Sequence, residues 1–317
     1  MQPATAASLA SLGGETMGTR WSVRLPVRAS ADLHAIHAGI QHQLDRVVAQ
    51  MSTWEAASDI SRYRHAGAGS WIALPVEFAR VLDCAIEVAA ASDGAFDPSA
   101  GELVNLWGFG PPGPVARAPE AAQVDAALAR AGWRRLALRG HELQQPGGIT
   151  LDLSAIAKGY GVDQVARRLT ALGIENHLVE VGGELRGTGL RPDGQPWWVD
   201  LHRPPGAQAL PLTRLALHGL SVATSGDYLR HFHEAGVSHS HTLDPRTGRP
   251  ITHGLTSVSV LHRDCMRADA WSTALTVLGT EAGLVCAREQ GLAALFVQRT
   301  ADGHTEHLTP ALEALAA

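Results

Sequence analysis

Cysteine is scarce in this chain, and long apolar runs are missing altogether. The three cysteines among 317 residues, Cys84, Cys265 and Cys286, are odd in number and form no CxxC pair. That spacing argues against both a disulfide framework and a zinc cluster. No run reaches eighteen apolar residues, which argues against a membrane-spanning helix. Basic residues do not predominate either: 26 stand against 31 acidic ones, for a net charge of -5, and no basic stripe is available for a phosphate backbone. A nucleic-acid partner is therefore not expected. The N-terminal "MQPATAASLASLGG" lacks the basic n-region and long h-region of a signal peptide. The expected location is cytoplasmic as the sequence is written, or periplasmic or membrane-associated if an export signal has been removed. No internal repeat or low-complexity tract is present.

The length allows one large or two modest domains. "TRWSVRL" alternates as a strand does, and Ser30 then stands as N-cap before a helix carrying Leu33, Ile36, Ile40, Leu44, Val47 and Met51 on one face. "MSTWEAASDISRYR" reads as a loop, and Phe78, Val81, Leu82, Ala85 and Val88 mark a helix over 75–91. The turn-rich "GAFDPSAGELVNLWGFGPPGP" follows, then a helix over 119–131 and a hairpin in "RLALRGHELQQPGGITLDLS". "ITLDL" predicts a strand leading through a glycine-containing turn into a helix with Val162, Val165, Ala166, Leu169 and Leu172 on one face. Five strand candidates come next without intervening helices, which implies antiparallel pairing. A helix over 267–279, another around 281–289 and the strand "LAALFVQR" close the pattern. The fold expectation is α+β, with mixed, largely antiparallel sheets and flanking helices. The boundaries expected are a tail over 1–14 and one domain over 15–317, which could divide into two subdomains near 148.

Within this pattern, Asp269 and Thr273 stand four residues apart on one predicted helix, so a carboxylate and a hydroxyl share a face. Hard cations take such oxygens. The plainer reading is a first-turn acid favoured by the helix dipole and a threonine bonded back to a carbonyl. "AKGYGVDQ" joins a strand to a helix start with glycines and Lys158, a place where anions gather, but it is not GxxxxGK[ST]. Gly182 and Gly183 in "VEVGGELRGTG" mark a bulge or a close approach, and no helix follows them to make a dinucleotide fingerprint. His239 and His241 would share a strand face, yet no third ligand stands at a supporting spacing for zinc. Asp97, before a proline, is a turn former. Trp54, Trp107, Trp197 and Trp198 are either core aromatics or stacking platforms.

Taken in order, "GETMGTRW", "MSTWEAASDISRY", "GAFDPSAGELVNLWGFG", "LDLSAIAKGYGVDQ", "VEVGGELRGTG", "VATSGDYLRHF", "HTLDPRTGRPI" and "ADAWSTAL" resemble the ApbE family of FAD:protein FMN transferases. The resemblance runs from Glu15 to Val297. It implies a magnesium-dependent enzyme that cleaves the FAD pyrophosphate, attaches FMN to a threonine or serine of a target protein and releases AMP. Some relatives only hydrolyse FAD to FMN and AMP, or hold it with little turnover.

By that resemblance the backbone oxygen of Ala157 and the side chains of Asp269 and Thr273 would hold Mg2+. Met17, Trp54, Ala95, Phe96, Asp97, Ser154, Lys158 and Tyr160 would line the flavin nucleotide, with Trp54 stacked on a ring. Asp163, Gly182, Gly183, Ser225 and Gly226 would shape the site. His241 is the candidate to assist the incoming hydroxyl, since imidazole titrates near neutrality. The acceptor implied is a redox-chain protein bearing a motif of the type D-x-x-[ST]-G-A-[ST]. Many relatives are exported lipoproteins with a cysteine after the signal, and this sequence shows neither feature. The position of Trp54 varies among relatives that transfer, hydrolyse or hold FAD. A redox flavoenzyme is the competing class, and no nicotinamide site supports it.

Overall fold

Thr16 and Thr19 face each other across a two-residue turn in which Met17 (φ 48°) and Gly18 (φ 69°) both adopt positive φ. Such turns match the twist of a tight antiparallel hairpin. The computed structural model describes residues 8–201, 203–227, 231–234 and 237–316. Its main element is an eight-stranded sheet: Ser8–Thr16 (β1), Thr19–Val27 (β2), His177–Val181 (β3), Glu184–Thr188 (β4), Leu220–Gly226 (β5), Leu255–His262 (β6), Ala293–Thr300 (β7) and Gly303–Leu308 (β8). The strands lie side by side in the order of the sequence, every neighbour antiparallel.

Helices Leu33–Met51 (α1), Ala157–Ala171 (α3) and Cys265–Glu289 (α4) cover one face, and Val76–Ala91 (α2) packs on α4. α1 packs on β1, α3 on β3 and β4, and α4 on β5 and β6, while α3 lies between α1 and α4. The two-residue period of the strands sorts side chains between the faces. Ala223 and Val260 enter the core beneath the helices, whereas their neighbours Val222 and Leu261 enter a second core. That second core is closed by a small hairpin, Trp197–Asp200 with Arg214–Leu217, and by Leu312 of the C-terminal helix Pro310–Ala316. Residues before and after 148 share the helix-side core, from Val47 to Phe296. No helix among the described residues is long and apolar enough to cross a membrane.

The fold expectation holds, and several local readings are corrected. From Ser8 on, the expected tail is strand β1, paired with β2 along its whole length. Its glycines and half-exposed edge position conceal the alternation. α1 is capped by Asp32, whose Oδ1 accepts the Ala35 N–H at 2.9 Å, rather than by Ser30. The loop "MSTWEAASDISRYR" contains a short helix, Asp59–Arg64, capped by Ser58. The stretch "ITLDL" forms only an isolated bridge, Ala100 to Thr150. The buried amide of Gln145 replaces a partner strand there, since its Oε1 accepts the Ile149 N–H and its Nε2 donates to the Ile149 carbonyl. Gly279 (φ 77°) breaks α4 into two helical stretches, as the sequence pattern suggested.

Candidate functional site

The turns between β1 and β2 and between β3 and β4, the end of β5 and the start of β6 all lie at one end of the sheet. Gly182 (φ 61°) and Gly183 (φ 104°) form the β3–β4 turn, a tight hairpin, and of the two readings of the pair, a bulge or a close approach, it is the close approach that the structure shows. A Cβ on Gly182 would stand 2.8 Å from Thr19 Cγ2 and 3.4 Å from Lys158 Cδ. Turn and lysine therefore touch, and the start of α3 sits against both hairpins.

α3 begins at Ala157 without a side-chain cap. Its third N–H, one of the four that a helix leaves without an internal acceptor, belongs to Gly159 and donates to Asp269 Oδ2 at 2.9 Å. The two helices cross so closely that a Cβ on Gly159 would lie 2.4 Å from the Cys265 carbonyl oxygen. Only glycine fits. Asp163, one turn further along α3, accepts the Cys265 and Met266 N–H groups at 3.2 and 3.1 Å and the Arg186 guanidinium at 2.8 Å. It caps α4 from a neighbouring helix, a task the nominal cap Asp264 leaves undone.

At this crossing Lys158 pairs with Glu184 and lies 4.0 Å from Asp269 Oδ1. Asp269 and Glu184 are each 2% exposed. Burial raises the Glu184 pKa to about 7 against the pull of Lys158, with the nearby Asp269 charge adding to the rise. Burial likewise raises Asp269, opposed by Lys158 and the Gly159 N–H. For Lys158, burial disfavours the ammonium, but Asp269 and Glu184 outweigh it and hold the group above its ordinary value. One turn along α4, Thr273 Oγ1 is 2.9 Å from Ser225 Oγ, which is 2.7 Å from Ser272 Oγ.

Ala157, Lys158, Asp269 and Thr273 thus come together, with Asp163, Gly182 and Ser225 around them. Among the described residues no group of three or more His, Cys, Asp or Glu converges as a metal cage. Among the described residues no donor holds Asp269 Oδ1 more closely than Lys158 at 4.0 Å, and the Thr273 hydroxyl stands one turn away. That sparse set of hard oxygens is the kind Mg2+ accepts, since it keeps several waters and takes phosphate oxygens as well.

The flavin-lining candidates are more scattered. Met17 sits in the β1–β2 turn and reaches α3, its Cε 3.1 Å from where a Cβ on Gly161 would be. Trp54 is 63% exposed on the loop after α1. Ala95 and Phe96 are buried, and the Asp97 carboxylate is consumed locally by the Ser99 N–H and hydroxyl and the Trp133 N–H. The Ser154 N–H donates to Asp152 Oδ1 at 2.7 Å. Asp152, Thr53, Arg64, Asn105 and Thr150 line a small, partly open cleft. Tyr160 is buried, its hydroxyl accepting from Gln164 Nε2 at 2.6 Å, and it lines a shallow, open depression with Gln50, Arg46 and Glu77. His241 packs edge-on against Phe109 at 6.2 Å, beside a separate apolar cluster containing Trp107. The sequence reading passed over Glu184. Its one signal was a carboxylate directly after a glycine pair.

The sequence profile of the ApbE family matches residues 17–296. A FAD:protein FMN transferase from Vibrio cholerae is 37% identical over 93% of this chain and 89% of its own length. The apo flavinyl transferase ApbE of Pseudomonas stutzeri superposes with a TM-score of 0.91 at 38% identity, covering 98% of this chain and 97% of that one. The Vibrio cholerae flavin transferase ApbE gives 0.90 at 36% identity, covering 97% and 99%. Matched by the family profile over residues 17–296, and by a curated member and a solved one over nearly the full length, the chain belongs to the ApbE family.

Proposed function

We propose that this protein moves FMN from FAD to a threonine or serine hydroxyl of a target protein, releasing AMP, with Mg2+ held by Asp269, Thr273 and the Ala157 carbonyl. The observation that carries the reading is the meeting of Lys158 with Asp269 at the start of α3, with the Thr273 hydroxyl one turn further along α4. A cation and hard oxygens placed at a helix N-terminus suit a pyrophosphate. Bound there, Mg2+ supplies neutralisation of phosphate and leaving-group charge.

The chain's own residues do the positioning. Lys158 offers its ammonium to a phosphate oxygen, and the open side of Gly183, with no atom within 4 Å of a Cβ placed on it, lets a ligand approach the backbone. Exposed Trp54 offers a ring face for stacking. The acceptor hydroxyl attacks the FMN phosphorus, the P–O bond to AMP breaks, and the hydroxyl proton passes to a base, the role assigned to His241. The acceptor fitting this chemistry is a redox-chain protein with a short flavinylation motif.

Incubation with FAD and Mg2+, with and without a peptide of the form D-x-x-[ST]-G-A-[ST], tests the reading. AMP release coupled to a peptide mass increase of one FMN is expected, and chelation should abolish both. AMP release unaffected by the peptide would make the protein a hydrolase, and intact FAD would make it a carrier.

A further inference from the structure

Lys158 has two carboxylates to choose between. Its ammonium pairs directly with Glu184 and stays 4.0 Å from Asp269 Oδ1. Glu184 opens β4 immediately after the Gly182–Gly183 turn, and that turn lies against the lysine's methylenes. The carboxylate has no freedom to retreat, because it is 2% exposed. Its second oxygen, Oε2, is buried with no hydrogen-bond partner among the described residues. A buried carboxylate oxygen left without a donor is costly. Beyond its own backbone N–H, the side-chain partner that Glu184 does have among the described residues is Lys158.

Asp269 is arranged differently. Its Oδ2 is fixed by the Gly159 N–H, while Oδ1 is aimed at the space that Lys158 borders. An ammonium drawn fully onto Oδ1 would occupy the place of a cation there, because both compete for the same negative charge.

We propose that Glu184 is a positioning residue that holds the Lys158 ammonium off Asp269, keeping Oδ1 open to a divalent cation and leaving the lysine poised for a phosphate. This rests on Asp269 as a cation ligand. Without Glu184 the lysine has one carboxylate left within reach and closes on it, so the chain's own cation displaces the divalent one.

Mn2+ alone, followed by the loss of its free-ion EPR signal on titration into the full-length protein without FAD, tests this independently of turnover. Glu184→Gln keeps the shape and removes the charge. In an otherwise wild-type chain it should weaken Mn2+ binding by about tenfold or more, the scale set by a unit charge moved to within about 4 Å of another. In a Lys158→Met background the same Glu184→Gln change should alter Mn2+ binding less than about twofold, because the invading ammonium is gone. An equal loss in both backgrounds overturns the proposal and makes Glu184 a direct attractor or ligand of the metal. No loss in either makes it a bystander and also overturns it. Glu184→Asp, which retains the charge, should restore most of the affinity, and a purely structural role would show instead as a lowered melting temperature with Mn2+ affinity unchanged. If the wild-type protein itself binds no Mn2+, the metal assignment fails rather than the role of Glu184.

Discussion

The pairing of α3, α4 and β4 creates two clusters of buried charge, one around Asp163 and one around Lys158, and they are completed to different degrees. Asp163 is fully provided for: two backbone N–H groups and the Arg186 guanidinium occupy its two oxygens. Burial still lifts its pKa, with the Met266 N–H and Arg186 holding it down. Among the described residues the Lys158 cluster has two buried carboxylates for one ammonium, one oxygen with no partner and another 4.0 Å from that ammonium. Buried charge is tolerated where it is paired and hydrogen-bonded. The deficit at the second cluster marks it as a place built to receive something, while the first holds the helices that present it.

The largest expected effect separates these roles. Asp269→Asn retains an oxygen for the Gly159 N–H but removes the charge, so FAD-dependent AMP release should fall on the order of a thousandfold, as for loss of a key electrostatic group. The melting temperature should change little. Wild-type turnover with an unchanged Mg2+ dependence would return Asp269 to the structural class and dissolve the contrast.

Asp163→Ala should act in the opposite sense. It strips the cap from α4 and leaves Arg186 without its carboxylate, for a loss of about 3 kcal/mol in urea unfolding. Turnover per folded molecule should suffer less than stability. A stable Asp163→Ala protein with turnover as poor as that of Asp269→Asn would show that both clusters belong to the chemistry.

His177 on β3 offers a third kind of buried group, one kept neutral. It is fully buried, its Nδ1 lies 2.9 Å from the Ile174 carbonyl, and burial lowers its pKa from 6.5 to about 4. The unfolded chain takes up a proton that the folded chain refuses. Its contribution is therefore complete above about pH 6.5 and declines as pH falls toward 4, by up to about 3 kcal/mol. Urea midpoints at pH 7.5 and 4.5 measure it, and His177→Gln should flatten the slope. An identical slope in the variant would assign the acid sensitivity to other groups.

The smallest effect concerns an exposed side chain. Trp54→Ala should leave stability unchanged, as expected for a residue 63% exposed, yet weaken FAD binding by about 2 kcal/mol if the ring stacks. Equal affinities in a fluorescence titration would remove Trp54 from the site.

What was legible in the sequence was whatever repeats or recurs locally. The apolar faces of α1, α2 and α3 follow from spacing alone, the shared face of Asp269 and Thr273 follows from a four-residue interval, and the ordered motifs point to the family. Helical geometry carries such readings whatever lies nearby. Strand β1 was invisible because a half-exposed edge strand rich in glycine has little alternation to show. The stretch 149–153 was misread because the sequence cannot reveal that the Gln145 side chain takes the place of a partner strand. The pairing of Lys158 with Glu184 spans 26 residues, and the Gly159 bond to Asp269 spans 110. Neither has any periodic signature. Both exist because β4 is seated between β3 and β5 and because a missing Cβ lets α3 and α4 touch, so the sequence determined which chemical groups are present and tertiary packing decided which of them would be left short of partners.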